Sequence, residues 1–148
     1  MGTRTITKAI DVDAPPERVW DVLLDDATYR QWTAEFMAGS YAETDWQEGS
    51  RVRFLTPDGS GIAGQIVASD RPALLDIRYD GQVIEGKEDY DSPEAQELRG
   101  AHETYRLSEQ DGGTSLAIAS DMAEAYYADM SEAWQRALAK VKALAEAS

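Results

Sequence analysis

Cysteine is absent from the 148-residue chain, and histidine occurs once, at His102. The first absence removes disulfides, thiolate nucleophiles and sulfur-ligated metal sites; the second leaves no imidazole set for a zinc centre. Glycine-rich phosphate loops, nucleophile elbows and nucleic-acid signatures are missing too, so neither a cofactor nor a metal is expected. Apolar runs are short, none approaching the about 18 residues of a bilayer span, which argues against membrane insertion. Met1-Gly2-Thr3-Arg4 is not followed by a stretch of the signal-peptide kind, and with no cysteine a reducing, cytoplasmic setting is expected. Positive charge is scarce. Fourteen Lys and Arg face 28 Asp and Glu, a formal net charge of -14. Repulsion from phosphates excludes nucleic acid and anionic membranes as partners. Most of this charge reads as solubility, and its residual field favours neutral or cationic ligands over anionic ones. Nothing in the sequence supports a protein partner.

What is present fits a single domain over 1–148, long enough to bury roughly two-thirds of its unfolded surface. Thr3 to Val12 alternates in the manner of a strand with one wet face. Pro15 and Pro16 end it, and Pro16 suits the first position of a helix, where its missing N–H costs nothing. Val19, Trp20, Leu23 and Leu24 then recur at helical spacing. Asp25 or Asp26 caps a second short helix in which Tyr29 and Trp32 lie three apart on one side. From Ser40 to Asp121 the pattern becomes short strands with turn chemistry between them: 40–45, 51–56, 61–69, 74–79, 101–108 and 114–121. Sequential strands with short turns predict an antiparallel meander.

Between Gly81 and Gly100 the chain carries Glu85, Glu88, Asp89, Asp91, Glu94 and Glu97. This insertion is expected to be solvated and mobile, with one short helix opened by Ser92-Pro93-Glu94 and running to Leu98. Its acids lack the fixed ligand spacing of a calcium loop. The C-terminal segment is the clearest element. Tyr126, Met130, Trp134, Ala137, Leu138, Val141, Leu144 and Ala145 recur at three- and four-residue steps, giving a long amphipathic helix whose Lys140 and Lys142 suit the helix dipole. Such a helix needs a partner surface, and the sheet is the one the pattern supplies.

Several of these segments together carry a family resemblance. Ala14-Pro15-Pro16-Glu17-Arg18-Val19-Trp20 with Trp32, Gly64-Gln65-Ile66 before Arg71-Pro72, Leu75-Asp76-Ile77-Arg78-Tyr79, Gly113-Thr114-Ser115-Leu116 and the closing Trp134-to-Leu144 helix resemble the SRPBCC, or START-like, superfamily. Within it, the chain is similar to the branch of the C-terminal domain of the activator of heat shock protein 90 ATPase. The resemblance implies an α+β helix-grip fold: a curved antiparallel sheet of about six or seven strands, two short helices after the first strand, and a long C-terminal helix across the concave face. It also implies a cavity there for an apolar molecule. Tyr79 stands where the family often has tryptophan, and the 81–100 insertion exceeds the usual connection.

Alternation along the strands places the side chains. If Leu116 and Ile118 face the helix, Ser120 and Met122 share their side; Leu75 and Ile77 bring Tyr79 with them. Tyr105 and Leu107 bring Glu103 inward, whereas His102 points out to the surface. A carboxylate directed inward needs a donor, a ligand or a proton, because burying it unpaired costs several kcal/mol. The structural expectation for Glu103 is a strand-end position reaching water or Arg99; the functional one is a polar anchor or general acid/base. Tyr79, Glu103, Tyr105, Met122, Tyr126, Met130 and Trp134 are the candidate ligand-lining residues, with no catalytic residue assigned. The function expected is binding of an apolar, neutral small molecule. The alternatives are an aromatase- or cyclase-like enzyme using Glu103 and tyrosine hydroxyls, and a chaperone ATPase regulator.

Overall fold

The structure is a computed structural model and describes residues 2–147. Strand β1 (Thr3–Val12) runs into α1 (Pro16–Leu24) and α2 (Asp26–Thr33). Seven further strands follow: β2 (Tyr41–Glu43), β3 (Arg51–Leu55), β4 (Gly61–Asp70), β5 (Leu74–Ile84), β6 (Lys87–Asp89), β7 (His102–Gln110) and β8 (Gly113–Ala123). Helix α3 (Pro93–Leu98) lies between β6 and β7, and α4 (Tyr127–Glu146) closes the chain. All pairs are antiparallel, in the order β1-β8-β7-β5-β4-β3-β2, with β6 paired to β5 off this path. This is the helix-grip architecture that the resemblance implies, extended by one strand from the insertion.

Local chemistry explains the elements. Pro16 opens α1 and Glu17 supplies first-turn negative charge, while Val19, Trp20, Val22 and Leu23 bury one face. The two short helices are tied together by Thr28, whose hydroxyl donates to the Val22 carbonyl at 2.7 Å, and by the Trp32 indole, which donates to the Leu23 carbonyl at 3.3 Å. Helix α4, about 30 Å long, buries Ala133, Trp134, Ala137, Leu138, Val141 and Ala145. It packs against β1, α1 and α2. Between helix and sheet lies one continuous core that includes Trp32, Ile77, Tyr105, Leu116, Ile118 and Trp134.

The C-terminal end of that packing is pinned. Arg18 of α1 donates to the α4 carbonyl of Leu144 at 3.0 Å and to that of Ala147 at 3.3 Å, supplying the positive charge that a helix C-terminus favours. Lys142, expected to serve that dipole, instead donates to the Asp11 carbonyl at 2.9 Å, and Glu146 accepts from the Asp13 N–H at 2.8 Å. The tail of α4 is thus fastened along the free side of β1.

The insertion folds into a short strand and a short helix, and its Glu85, Glu88, Asp91, Glu94 and Glu97 are exposed, as a solvated segment requires. Strand β5 continues to Ile84, and Glu85 and Gly86, with φ of 48° and 85°, make a two-residue turn into β6. Helix α3 begins as the sequence suggests, with the Ser92 hydroxyl accepting from the Ala95 N–H at 3.2 Å. Asp89 ties the segment together: its carboxylate accepts from the Gln82 side chain and the Asp91 N–H. Register shifts in the β4–β5 pair lie between Ala63 and Gly64 and between Ile66 and Ala68. At the first, a Cβ on Gly64 would come within 2.5 Å of the Arg78 carbonyl oxygen, so only glycine admits this close approach. A small second cluster of Leu55, Ala63 and Val83, with Tyr41 against it, forms apart from the main core.

Candidate functional site

Glu103 is the second residue of β7, paired to Ile77 on one side and Ser120 on the other. Alternation turns it inward, as the sequence requires, and two neighbours on the same face reach it. The Tyr79 hydroxyl donates to Oε1 and the Tyr105 hydroxyl donates to Oε2, both at short range. Arg99, the expected structural partner, donates instead to the Tyr90 carbonyl at 3.1 Å. The carboxylate is therefore held by phenols and by no cation among the described residues.

Burial is the largest influence on the Glu103 carboxyl and pushes it above the usual carboxylate range; the hydrogen bonds from Tyr105 and Tyr79 pull it partly back. The same burial raises the phenols of Tyr79 and Tyr105 well above their ordinary value, with the Glu103 charge adding to it. Tyr29 of α2 joins them: its phenol is raised by burial and then by the same charge. Two tyrosines, from β5 and β7, thus hold one carboxylate, and its charge is felt by a third on α2. Glu103 itself stays only partly covered as a residue, while Tyr79, Tyr105 and Tyr29 are buried.

Aromatic rings continue outward from this centre. Tyr105 lies 6.0 Å from Trp134 and 6.4 Å from Trp32, ring centre to ring centre, and Phe36 lies 4.9 Å from Trp134. On the other side Phe54 stands 6.3 Å from Tyr79. Within this wall the Trp134 indole N–H is buried and has no hydrogen-bond partner among the described residues. Burying a donor that way costs about 1–3 kcal/mol.

Of the residues read from the sequence, Tyr79, Glu103, Tyr105 and Trp134 come together in one core, with Met122 and Met130 packed against it and partly exposed. Tyr126 does not join them. It is 65 % exposed, in the single 3-10 turn Glu124–Tyr126 that precedes α4, so its spacing to Met130 does not run along one helix. His102 faces outward, as expected, its Nδ1 2.7 Å from Asp76. Tyr29 and Phe54 were missing from the candidate set. The signal for Tyr29 was its spacing to Trp32, and for Phe54 its alternation with Val52.

An open hollow beneath α4 is not what the packing displays: Trp32, Phe36, Tyr105 and Trp134 occupy that space as interlocking rings. Two shallow surface hollows lie elsewhere, one of about 380 Å³ on the outer face of the sheet beside Thr7, Thr104, Arg106 and Ala119, the other beside Glu132 and Arg136 of α4. Among the described residues no group of three His, Asp or Glu side chains is placed to hold a metal ion, and no helix is long and apolar enough to cross a membrane.

The family model described as "Activator of Hsp90 ATPase homolog 1-like protein" matches residues 13–146. The chain belongs to that family. Among solved structures, this activator-like chain is similar to the Aha1 dimer of Colwellia psychrerythraea, at 16 % identity and a TM-score of 0.74 over 97 % of each chain. It is also similar to CalU16 from Micromonospora echinospora, at 23 % identity and a TM-score of 0.67 over 98 % of this chain and 78 % of that one. DynU16, a protein of the dynemicin biosynthetic locus, aligns at 12 % identity and a TM-score of 0.68 over 97 % of this chain and 47 % of that one. At these identities the likeness is one of fold. No curated protein matches the chain. Within the activator-like, START-like fold, the tyrosine at position 79 acquires a meaning that tryptophan would not give it, because its hydroxyl is one of the two groups that hold Glu103.

Proposed function

We propose that this chain binds an apolar small molecule between the sheet and α4, at the end marked by Glu103. One observation carries the reading: a carboxylate is held by two phenols, and one of them, Tyr105, packs 6.0 Å from the ring of Trp134, whose buried indole N–H has no partner among the described residues. A core built for stability alone gains by replacing such groups with well-packed hydrocarbon. Polar atoms few in number and placed among rings are what small-molecule sites use to orient a ligand. The occurrence of one fold relative, DynU16, in a biosynthetic locus supports the same reading.

Tyr79, Tyr105 and Trp134 would form the wall, with Met122 and Met130 at its partly exposed margin. Because the rings fill the interior, a ligand enters by displacing them, and flexible thioethers suit that role. The opening lowers the observed affinity by the fraction of molecules that are open. A ligand of about twenty heavy atoms at about 0.3 kcal/mol each binds in the tens of micromolar before that reduction. Tryptophan fluorescence reads the event directly, since Trp32 and Trp134 belong to the site. The expected result is a saturable fluorescence change and a raised melting temperature with some members of a broad apolar panel. Native mass spectrometry of protein purified from its own host is expected to show a retained molecule. Silence in all three measurements overturns the proposal.

The geometry around Glu103 favours a second reading, acid/base chemistry of the aromatase or cyclase kind, with Glu103 as the proton acceptor and the tyrosine hydroxyls as donors. Glu103→Gln would abolish such turnover, and turnover that survives it removes this reading. Regulation of a chaperone ATPase, the activity in the family description, predicts that a chaperone co-purifies from lysate; its absence counts against that role.

A further inference from the structure

The charge environment of Glu103 narrows the ligand class, given that the binding reading above holds. The carboxylate accepts one hydrogen bond at each oxygen, from Tyr79 and from Tyr105. Each carboxylate oxygen has room for about two donors, so acceptor capacity is left over. No basic side chain donates to it among the described residues; Arg99 is bonded to the Tyr90 carbonyl, Arg78 to Gln65, Arg51 to Asp80 and Arg71 to Asp21. Lys8 shares the inner face but stands on β1, opposite Ile118, with all of β8 between it and β7. A partly buried anion thus lacks a cation among the described residues and is held by the hydroxyls of Tyr79 and Tyr105. The whole molecule adds a formal charge of -14.

We propose that the ligand carries a protonated amine. It is an apolar ammonium compound whose nitrogen meets the Glu103 carboxylate while its hydrocarbon body lies along the aromatic wall. This replaces the neutral ligand expected from the sequence with a cationic one. An ammonium group supplies up to three donors to the unused acceptor sites, and a charge-assisted bond of this kind is about twice as strong as a neutral one. A neutral alcohol of the same shape gains only an ordinary hydrogen bond, and a carboxylate is repelled both by Glu103 and by the overall field.

Three matched probes test this by isothermal titration calorimetry at neutral pH: 2-(1-naphthyl)ethylamine, 2-(1-naphthyl)ethanol and 1-naphthylacetate. The amine is expected to bind wild-type protein about tenfold or more tightly than the alcohol, a difference of about 1.4 kcal/mol, with the acetate weakest. The preference is expected to persist in about 0.5 M NaCl, where attraction to a solvent-exposed charge is screened within a few ångströms. In Glu103→Gln the preference for the amine over the alcohol is expected to vanish. Equal binding of amine and alcohol to wild-type protein overturns the ammonium proposal and leaves the binding reading standing. A preference that survives Glu103→Gln or disappears with salt also overturns it, by assigning the attraction to the surface. No binding by any of the three also overturns the ammonium proposal, while the broad apolar panel and native mass spectrometry decide the binding reading. The wild-type comparison decides by itself if the variant fails to fold.

Discussion

Strand β7 carries two carboxylate clusters, one on each face, built from the same pair of strands. On the outer face Asp76 accepts from Thr104 at 3.2 Å and lies 2.7 Å from the His102 ring. On the inner face Glu103 accepts from Tyr79 and Tyr105. The outer acid sits on β5 between two polar neighbours on β7, and the inner acid sits on β7 between one neighbour on β5 and one on β7. The outer one is wet, with the His102 side chain 42 % exposed, whereas Tyr79 and Tyr105 keep only 6 % and 3 % of their surface. Water screens and replaces the outer contacts at small cost. Inside, the partners have no substitute, so the inner cluster governs packing and electrostatics while the outer one decorates a surface.

The contrast is broken or sharpened first by truncating adjacent residues of β5. Ile77→Ala, at a fully buried position, is expected to lose about 2–5 kcal/mol of stability in urea denaturation. Arg78→Ala, which forfeits one exposed bond to Gln65, is expected to lose about 1 kcal/mol or less. Similar losses for the two would erase the distinction between faces. A subtler version removes one partner from each cluster. Tyr79→Phe is expected to cost about 1.5–3 kcal/mol, because the buried carboxylate loses a donor. Asp76→Asn is expected to cost about 1 kcal/mol or less.

The smallest expected effect is a pH dependence. Burial holds the Glu103 carboxyl above its ordinary value of 4.5, so the folded state keeps that proton more tightly than the unfolded one. Its contribution is fully present below 4.5 and is lost as pH rises through the higher folded value. Relative to Glu103→Gln, wild-type protein is therefore expected to lose stability as pH climbs from about 4 to 8. Thermal melts of the two proteins across that range check the sign, and a constant difference would contradict it. Asp89, held well below the carboxylate range by Gln82 and Ser92, contributes in the opposite direction, losing its stabilisation in acid. The comparison with the variant cancels it.

How much of this was legible depended on the range of the interactions. Strand β1, the Pro16 start of α1, the Ser92 cap of α3 and the apolar stripe of α4 are local and stand in the sequence as alternation, cap chemistry and helical spacing. The inward turn of Glu103 was legible for the same reason, since it shares parity with Tyr105 and Leu107. Its partners were only half legible. Tyr79 and Tyr105 were on the right face, but that their hydroxyls replace Arg99 depends on strand register, and Tyr29 arrives from α2, some seventy positions earlier in the chain. The β5–β6 turn escaped notice because Glu85 precedes Gly86 where the usual hairpin signal has asparagine or aspartate. Tyr126 misled because a 3-10 turn resets the helical phase one residue before α4 begins.

The fastening of α4 along β1 reaches beyond the molecule's own packing. An outermost strand offers a row of unused backbone groups to any other extended chain, and ten residues make a generous template. By occupying the Asp11 carbonyl and the Asp13 N–H, Lys142 and Glu146 blunt that template at one end. A helix placed to cover an aromatic interior therefore also serves as a guard against unwanted strand addition, and fraying of its last turn would loosen the lid and bare the edge in a single event.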